Sequence, residues 1–287
     1  MEVWMRANID TLTAMNLADL YTTFGVAKRP WLRWVVTLLG WWPSRRLAQH
    51  MAMCDAQAGA VGLVAAGRVI VSAYAQAVDH VNPHHVPRHG PVLICSNHPG
   101  LSDAAASFVA INRPDLKVIA AERALLDELP NIAAQLICVP DDATGRAQAI
   151  RAAAHHLKRG GALLTYPAGR IESDPAVFDD AAVTLPVWSE MAALFGRLVP
   201  DLVVVPVLVS GVISARALDN WYVRRIPVRR DRDWMAATLQ LIVPWYKAGL
   251  VRVRFGTPCR TEGGNIHQQL IAEMHTLIVH EQGVRRG

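Results

Sequence analysis

Two rhythms of apolar and polar positions run along the chain. Val92–Cys95, Lys117–Ala121, Ile137–Val139, Ala162–Tyr166 and Leu202–Val209 are short, mostly apolar runs bounded by Pro, Gly, Asn or charged residues. Such runs predict strands buried on both faces. Between and after them lie stretches with helical spacing: Ala104–Ala110, Glu122–Leu136, Thr144–Lys158, Trp188–Phe195 and a last amphipathic helix over Ile266–His280. Gly160-Gly161 ends the third of these. Val251–Phe255 alternates Val and Arg before Phe, the pattern of an edge strand. The alternation of strand and helix predicts an α/β fold with a mainly parallel central sheet flanked by helices.

The N-terminal third follows the helical rhythm alone. A first helix is expected over residues 7–24, interrupted by Lys28-Arg29-Pro30, and a long helix over Ser44–Tyr74. Arg68, Ser72 and Gln76 recur every fourth residue, a narrow polar stripe on an otherwise apolar surface. Asn82–Gly90, holding Pro83 and Pro87, reads as a flexible linker, with His80, His84, His85 and His89 in or beside it and no metal expected there. The division that follows is an N-terminal helical region, 1–80, and an α/β catalytic domain, 81–287. No internal repeat is apparent.

Composition changes the picture for the first region. Hydrophobic residues make up 52% of the 287 and charged residues 18%, an apolar balance that suggests contact with lipid. No uncharged apolar run approaches the twenty residues or so of an ordinary span, and no cleavable signal is apparent at Met1, so cytoplasmic residence is the default. Four of the nine tryptophans, Trp31, Trp34, Trp41 and Trp42, fall among Arg29, Arg33, Arg45 and Arg46. Indole and guanidinium around a short apolar stretch suit the cytoplasmic face of a membrane, bound peripherally or monotopically; a helix folded onto the domain's own core is the other reading. Cys54, Cys95, Cys138 and Cys259 are scattered without a Cys-x-x-Cys pattern, as reduced buried thiols would be. The net charge is +5, and a basic run, Arg224, Arg225, Arg229, Arg230 and Arg232, lies beside Trp221, Tyr222 and Trp234. No nucleic-acid motif accompanies it; anionic headgroups or the phosphates of coenzyme A fit better, and a solvated face fits as well.

The chemistry concentrates at residues 91–104. A strand ending at Cys95 is followed by Asn97, His98, Pro99 and Gly100, then by Ser102 as a helix N-cap and Asp103 at the helix mouth. The carboxyl end of a strand in an open α/β sheet is where such folds place ligands. An imidazole there can take a proton near neutrality, and a carboxylate can fix its tautomer. The spacing His-x-x-x-x-Asp also occurs at His50/Asp55, but on a helix five residues separate those side chains by about 140°. A capped helix preceded by a solvated histidine is the alternative for His98.

Asn97-His98 followed by Asp103 resembles the first motif of the glycerolipid acyltransferases, the superfamily of glycerol-3-phosphate and lysophospholipid acyltransferases. Gly160–Arg170, ending Tyr166-Pro167-Ala168-Gly169-Arg170, resembles its third block, Phe-Pro-Glu-Gly-Thr-Arg; Val203–Val207, with Pro206, resembles its fourth. The resemblance covers about residues 85 to 260. It implies transfer of an acyl group from acyl-CoA or acyl-ACP to a hydroxyl of a lyso-glycerolipid, with His98 as general base, Asp103 as its partner and no further cofactor or metal. Asn97, Pro167, Ala168, Gly169 and Arg170 would line the substrates, with backbone N–H groups of the 167–169 turn facing the oxyanion. The block's glutamate is replaced by Ala168, and no Gly-x-x-Phe-x-x-Arg block stands around Val139–Asp142. These departures shift the expected acceptor toward a lyso-lipid with another headgroup, with Arg146 the nearest substitute for the missing arginine. Two rivals remain: a serine hydrolase using Ser102 in Gly100-Leu101-Ser102-Asp103-Ala104, and a lipid-binding protein that kept the fold and lost activity.

Overall fold

The computed structural model of the chain describes residues 8–100, 102–260 and 265–286, without the Arg230 and Arg286 side chains. Residue 7, the expected start of the first helix, and Leu101 of the elbow-like stretch lie outside the described residues. Eight strands form one sheet: β1 (Ala75–Val81), β2 (Val92–Ser96), β3 (Leu116–Ala121), β4 (Leu136–Val139), β5 (Ala162–Thr165), β6 (Val203–Ser210), β7 (Ala248–Phe255) and β8 (Cys259–Arg260). Their order is β1-β7-β6-β2-β5-β3-β4, with β8 also beside β6. All pairs are parallel except β6 with β7 and β6 with β8. The protein is therefore an α/β fold on a mainly parallel sheet.

The apolar runs become the centre of this sheet because every residue of β2, β5 and β6 is buried. Side chains alternate between faces. Ile94, Leu164 and Val205 enter one core layer, while Leu93, Leu163 and Val204 enter the other. Pro206 cannot donate to a ladder, and it falls where the antiparallel partner of β6 changes from β8, paired at 203 and 204, to β7, paired from 207.

The helices are α1 (Ile9–Thr23), α2 (Pro30–Ala60), α3 (Leu63–Tyr74), α4 (Asp103–Ile111), α5 (Pro130–Ala133), α6 (Ala143–Lys158), α7 (Met191–Leu198), α8 (Ala215–Leu218), α9 (Arg229–Ile242) and α10 (Ile266–Arg286). Several expectations need correction. The helix expected over Ser44–Tyr74 is two helices: α2 begins far upstream at Pro30 and runs through Pro43, and Gly62, at φ 111, breaks the chain before α3. Only glycine adopts that angle readily. Gln76 lies on β1, so the polar stripe of Arg68 and Ser72 does not extend to it. Glu122–Leu136 is not one helix, because Pro130 excludes a helical Leu129; a 3-10 turn at Ala124–Glu128 and the single turn of α5 replace it. The 82–90 segment is ordered, with a 3-10 turn at Pro83–His85 and His85 Nδ1 bonded to the Gly256 carbonyl at 2.7 Å. Val251–Phe255 is no edge strand: β7 lies between β1 and β6, and Arg252 and Arg254 are matched by Glu281 of α10 at 2.7 and 3.6 Å. The boundary at 80/81 falls within β1, a strand of the sheet itself.

Helix α3 approaches α4 closely. A Cβ at Gly67 would lie 2.6 Å from the Ala105 carbonyl oxygen and 3.1 Å from Val109 Cγ2. Glycine costs a helix about 1 kcal/mol relative to alanine, but overpacking against backbone costs about 1–3. Gly67→Ala is therefore expected to destabilise by up to about 2 kcal/mol net, about 4–8 °C in Tm at that upper end for a chain this long. Gly249→Ala, where nothing lies within 4 Å of the added carbon, is the control; a calorimetric melt of both variants checks the expectation.

Candidate active site

Strand β2 ends at Ser96, and Asn97 is tied across to β6: its Oδ1 accepts the Val209 N–H at 2.7 Å and its Nδ2 donates to the Val209 carbonyl at 2.9 Å. The buried Asn97 amide thus holds the strand end, and His98 follows directly on this anchored position. His98 Nδ1 bonds Asp103 Oδ2 at 2.6 Å. The same carboxylate accepts the Gly100 N–H at 3.0 Å and, through Oδ1, the Ala104 N–H at 2.6 Å. Asp103 is 1% exposed and the His98 side chain 30% exposed. Among the described residues no group bonds Nε2. One ring nitrogen is locked and the other is free.

The imidazole is held between opposing influences. Burial alone pushes its pKa down, but the hydrogen bond and charge of Asp103, together with the charge of Glu172, outweigh it and raise the pKa above the ordinary value. The pair's contribution to stability is complete below about pH 6.5 and is lost as pH rises through the raised value.

The segment after β5 closes over this strand end. β5 pairs parallel to β2, so Thr165 lies opposite Cys95 and the chain leaves both strands at the same end of the sheet. The Tyr166 ring lies against His98, centroids 4.4 Å apart and planes 33° apart. Burial and the Asp103 charge push the Tyr166 phenol well above its usual range, so it stays neutral. The Glu172 N–H donates to the His98 carbonyl at 2.8 Å. Asp174, fully buried, accepts the Gly211 and Ile213 N–H groups at 2.9 and 3.0 Å and fastens the same segment to the exit of β6. Burial raises the Asp174 pKa, against the lowering by these backbone donors.

The expected substrate residues divide accordingly. Within the 167–169 turn, Pro167 has no N–H and the Gly169 N–H is taken by the Tyr166 carbonyl at 3.0 Å, which leaves the Ala168 N–H as the turn's candidate oxyanion donor. The Arg170 side chain is exposed. Arg146 is exposed too, bonded to the Asp141 carbonyl. It lies at the same end of the sheet, but β4 stands three strands from β2, about 14 Å across. His50 and Asp55 do not meet: His50 Nδ1 bonds the Tyr74 hydroxyl at 3.0 Å, and Asp55 accepts from Asn131 and Ile132.

Ser102 corrects two expectations. It occupies the N-cap position of α4 as expected, but its hydroxyl makes no cap bond, and Asp103 takes up the Ala104 N–H instead. The Ser102 side chain is 2% exposed and its Oγ has no partner among the described residues, His98 included. This is not the geometry of an activated nucleophile. Tyr166, Glu172 and Asp174 are the residues that sequence reasoning missed. The one available signal was two carboxylates spaced i, i+2 in a loop directly behind the third block.

No protein-family model and no curated protein matches the chain. Among solved structures it is similar to the crystal structure of the 1-acyl-sn-glycerophosphate (LPA) acyltransferase PlsC from Thermotoga maritima, at 14% identity over 97% of each chain, with a TM-score of 0.46.

Proposed function

We propose that the chain is an O-acyltransferase that moves a fatty acyl group from an acyl thioester, acyl-CoA or acyl-ACP, to a hydroxyl of a lyso-glycerolipid or related acceptor at a membrane surface. The observation that carries this reading is the 2.6 Å His98–Asp103 pair with Nε2 unbonded among the described residues, at the strand end that the 166–172 segment clasps. His98 Nε2 takes the acceptor's hydroxyl proton as the oxygen attacks the thioester carbonyl. Asp103 stabilises the imidazolium, and that proton then passes to the departing thiolate. The Ala168 N–H is the candidate donor to the tetrahedral oxyanion, with Arg170 and Arg146 offered to substrate anions.

The membrane part of the proposal rests on α2. Trp31, Trp34, Val35, Leu38, Leu39, Trp41 and Trp42 are all exposed, Trp31 by 69% and Leu39 by 73%. At 100° per residue they cover an arc of about 160° on a stretch some 17 Å long. No helix among the described residues is long and apolar enough to cross a membrane. Such a stripe suits a helix lying in the interface plane. Of the bracketing arginines, Arg45 is spent on Asp10 at 2.6 Å, while Arg29 and Arg33 stay exposed. The four unpaired cysteines are in keeping with the cytoplasmic face.

The test is acyl transfer by purified protein with a panel of thioesters and lyso-lipids, run across pH for the parent and Asp103→Asn. Asparagine keeps a hydrogen-bond partner but removes the charge that raises the His98 pKa. The acid limb of kcat/KM should move to lower pH, while the plateau falls by about 10²- to 10⁴-fold. An unchanged profile at full rate removes Asp103 from the mechanism, and lipid binding without transfer from any thioester favours the inactive binding protein.

A further inference from the structure

Glu172 lies outside every motif, yet three donors from two separate parts of the chain converge on its carboxylate. It is 6% exposed. Oε2 accepts the backbone N–H of His98 at 2.9 Å, and Oε1 accepts the Thr184 hydroxyl at 2.6 Å and the Trp188 indole N–H at 2.9 Å. Since the Glu172 N–H also donates to the His98 carbonyl at 2.8 Å, a single residue grips both backbone polar groups of His98. A buried carboxylate is costly unless matched by donors, so a carboxylate held this way is rigidly placed. Thr184 and Trp188 belong to or adjoin the 3-10 segment Ala181–Val187, which packs on α10. The grip therefore ties the His98 backbone to the far side of the core.

We propose that Glu172 is a positioning residue: through the backbone it fixes where the His98 ring stands, and by its charge it favours the imidazolium that forms during transfer. Its hydrogen bonds to His98 go to the backbone and none to the ring. Three groups act on His98 from the packed elements: Asp103 of α4 bonds Nδ1, the neutral Tyr166 after β5 covers a face, and Glu172 stands behind the peptide. Asp103 determines which ring nitrogen is free. Glu172 determines where that nitrogen is held. The rate consequence rests on the transferase reading; the effect on the imidazole does not.

Glu172→Gln separates the two. Its carboxamide can still accept the His98 N–H through oxygen, but it then turns an NH₂ toward two donors, Thr184 and Trp188, and the charge is gone. The His98 Cε1–H titration, followed by NMR and assigned with His98→Ala, should move down by about half a pH unit, a threefold change in the acid constant. If the transferase reading holds, kcat should fall about ten- to hundredfold, with KM changed less than threefold. Glu172→Asp, which keeps the charge on a shorter stem, should restore the titration while leaving kcat reduced. A parent that transfers nothing, with the titration shift still seen in Glu172→Gln, sinks the transferase reading and leaves the positioning claim supported. Unchanged titration and rate in Glu172→Gln overturn the positioning claim. If that variant does not fold, Glu172→Asp decides: reduced kcat with parental titration supports the claim, and full kcat overturns it.

Discussion

On the proposed transferase reading, His98→Ala is expected to lower acyl transfer by about 10²- to 10⁴-fold, the contribution of a positioned general base, while His50→Ala is expected to leave it within about twofold, since at most one hydrogen bond worth around 1 kcal/mol is lost. The two histidines share the same spacing to an aspartate, so the pair of variants isolates geometry from composition. His98 has its carboxylate at 2.6 Å and a free ring nitrogen beside the end of a buried strand. His50 faces a tyrosine hydroxyl, and burial, with the charges of Arg46 and Lys247, pushes its pKa down. Assays on folded variants with acyl-CoA and lyso-lipids decide the matter. Equal losses at the two positions would end the assignment of His98 as the base.

The second large effect is on membrane binding. A variant carrying Trp31→Ser, Trp34→Ser, Trp41→Ser and Trp42→Ser is expected to float with liposomes far less than the parent. Each indole moved into the interface contributes on the order of 1 kcal/mol or more, so four amount to about a thousandfold in partitioning. The parent's binding should strengthen with anionic lipid, at about 1 kcal/mol for each nearby arginine, and weaken with salt while the apolar part persists. Serine at these exposed positions breaks no core contact, so the variant should keep its circular dichroism. If it is folded and floats as well as the parent, α2 is not the anchor, and the exposed Trp221, Trp234 and Arg225, whose guanidinium lies 4.9 Å from the Trp221 ring, become the place to look.

Strands whose side chains are buried on both faces announce themselves, so β2, β5 and β6, and with them the location of His98, were legible as apolar runs. Asp103 was legible because a carboxylate at a helix mouth follows local rules. Elements that depend on partners far away were not. β1 continues the apolar run of α3 with no punctuation, and only pairing with β7 makes it a strand. The arginines of β7 imitate a solvated edge because Glu281, near the other end of the chain, is what neutralises them. The first turns of α9 read as a charge run, while Arg229 is fastened to Asp180 and Asp233 and lies over the Phe178 ring. Glu172 was hidden for the same reason: its meaning lies in Thr184, Trp188 and the His98 peptide, none of them its neighbours in sequence.

The pairing of β1 with β7 also orders events during synthesis. Asp79 meets Arg252, 173 residues later. At about 5–20 residues per second, a ribosome needs on the order of ten to thirty-five seconds to supply the strand against which β1 docks. Over that interval α1 and α2 can already pack on each other with the indoles of α2 facing outward, while β1 still lacks its partner strand. If α2 is the membrane anchor proposed above, the nascent chain can therefore reach a bilayer before its sheet is complete.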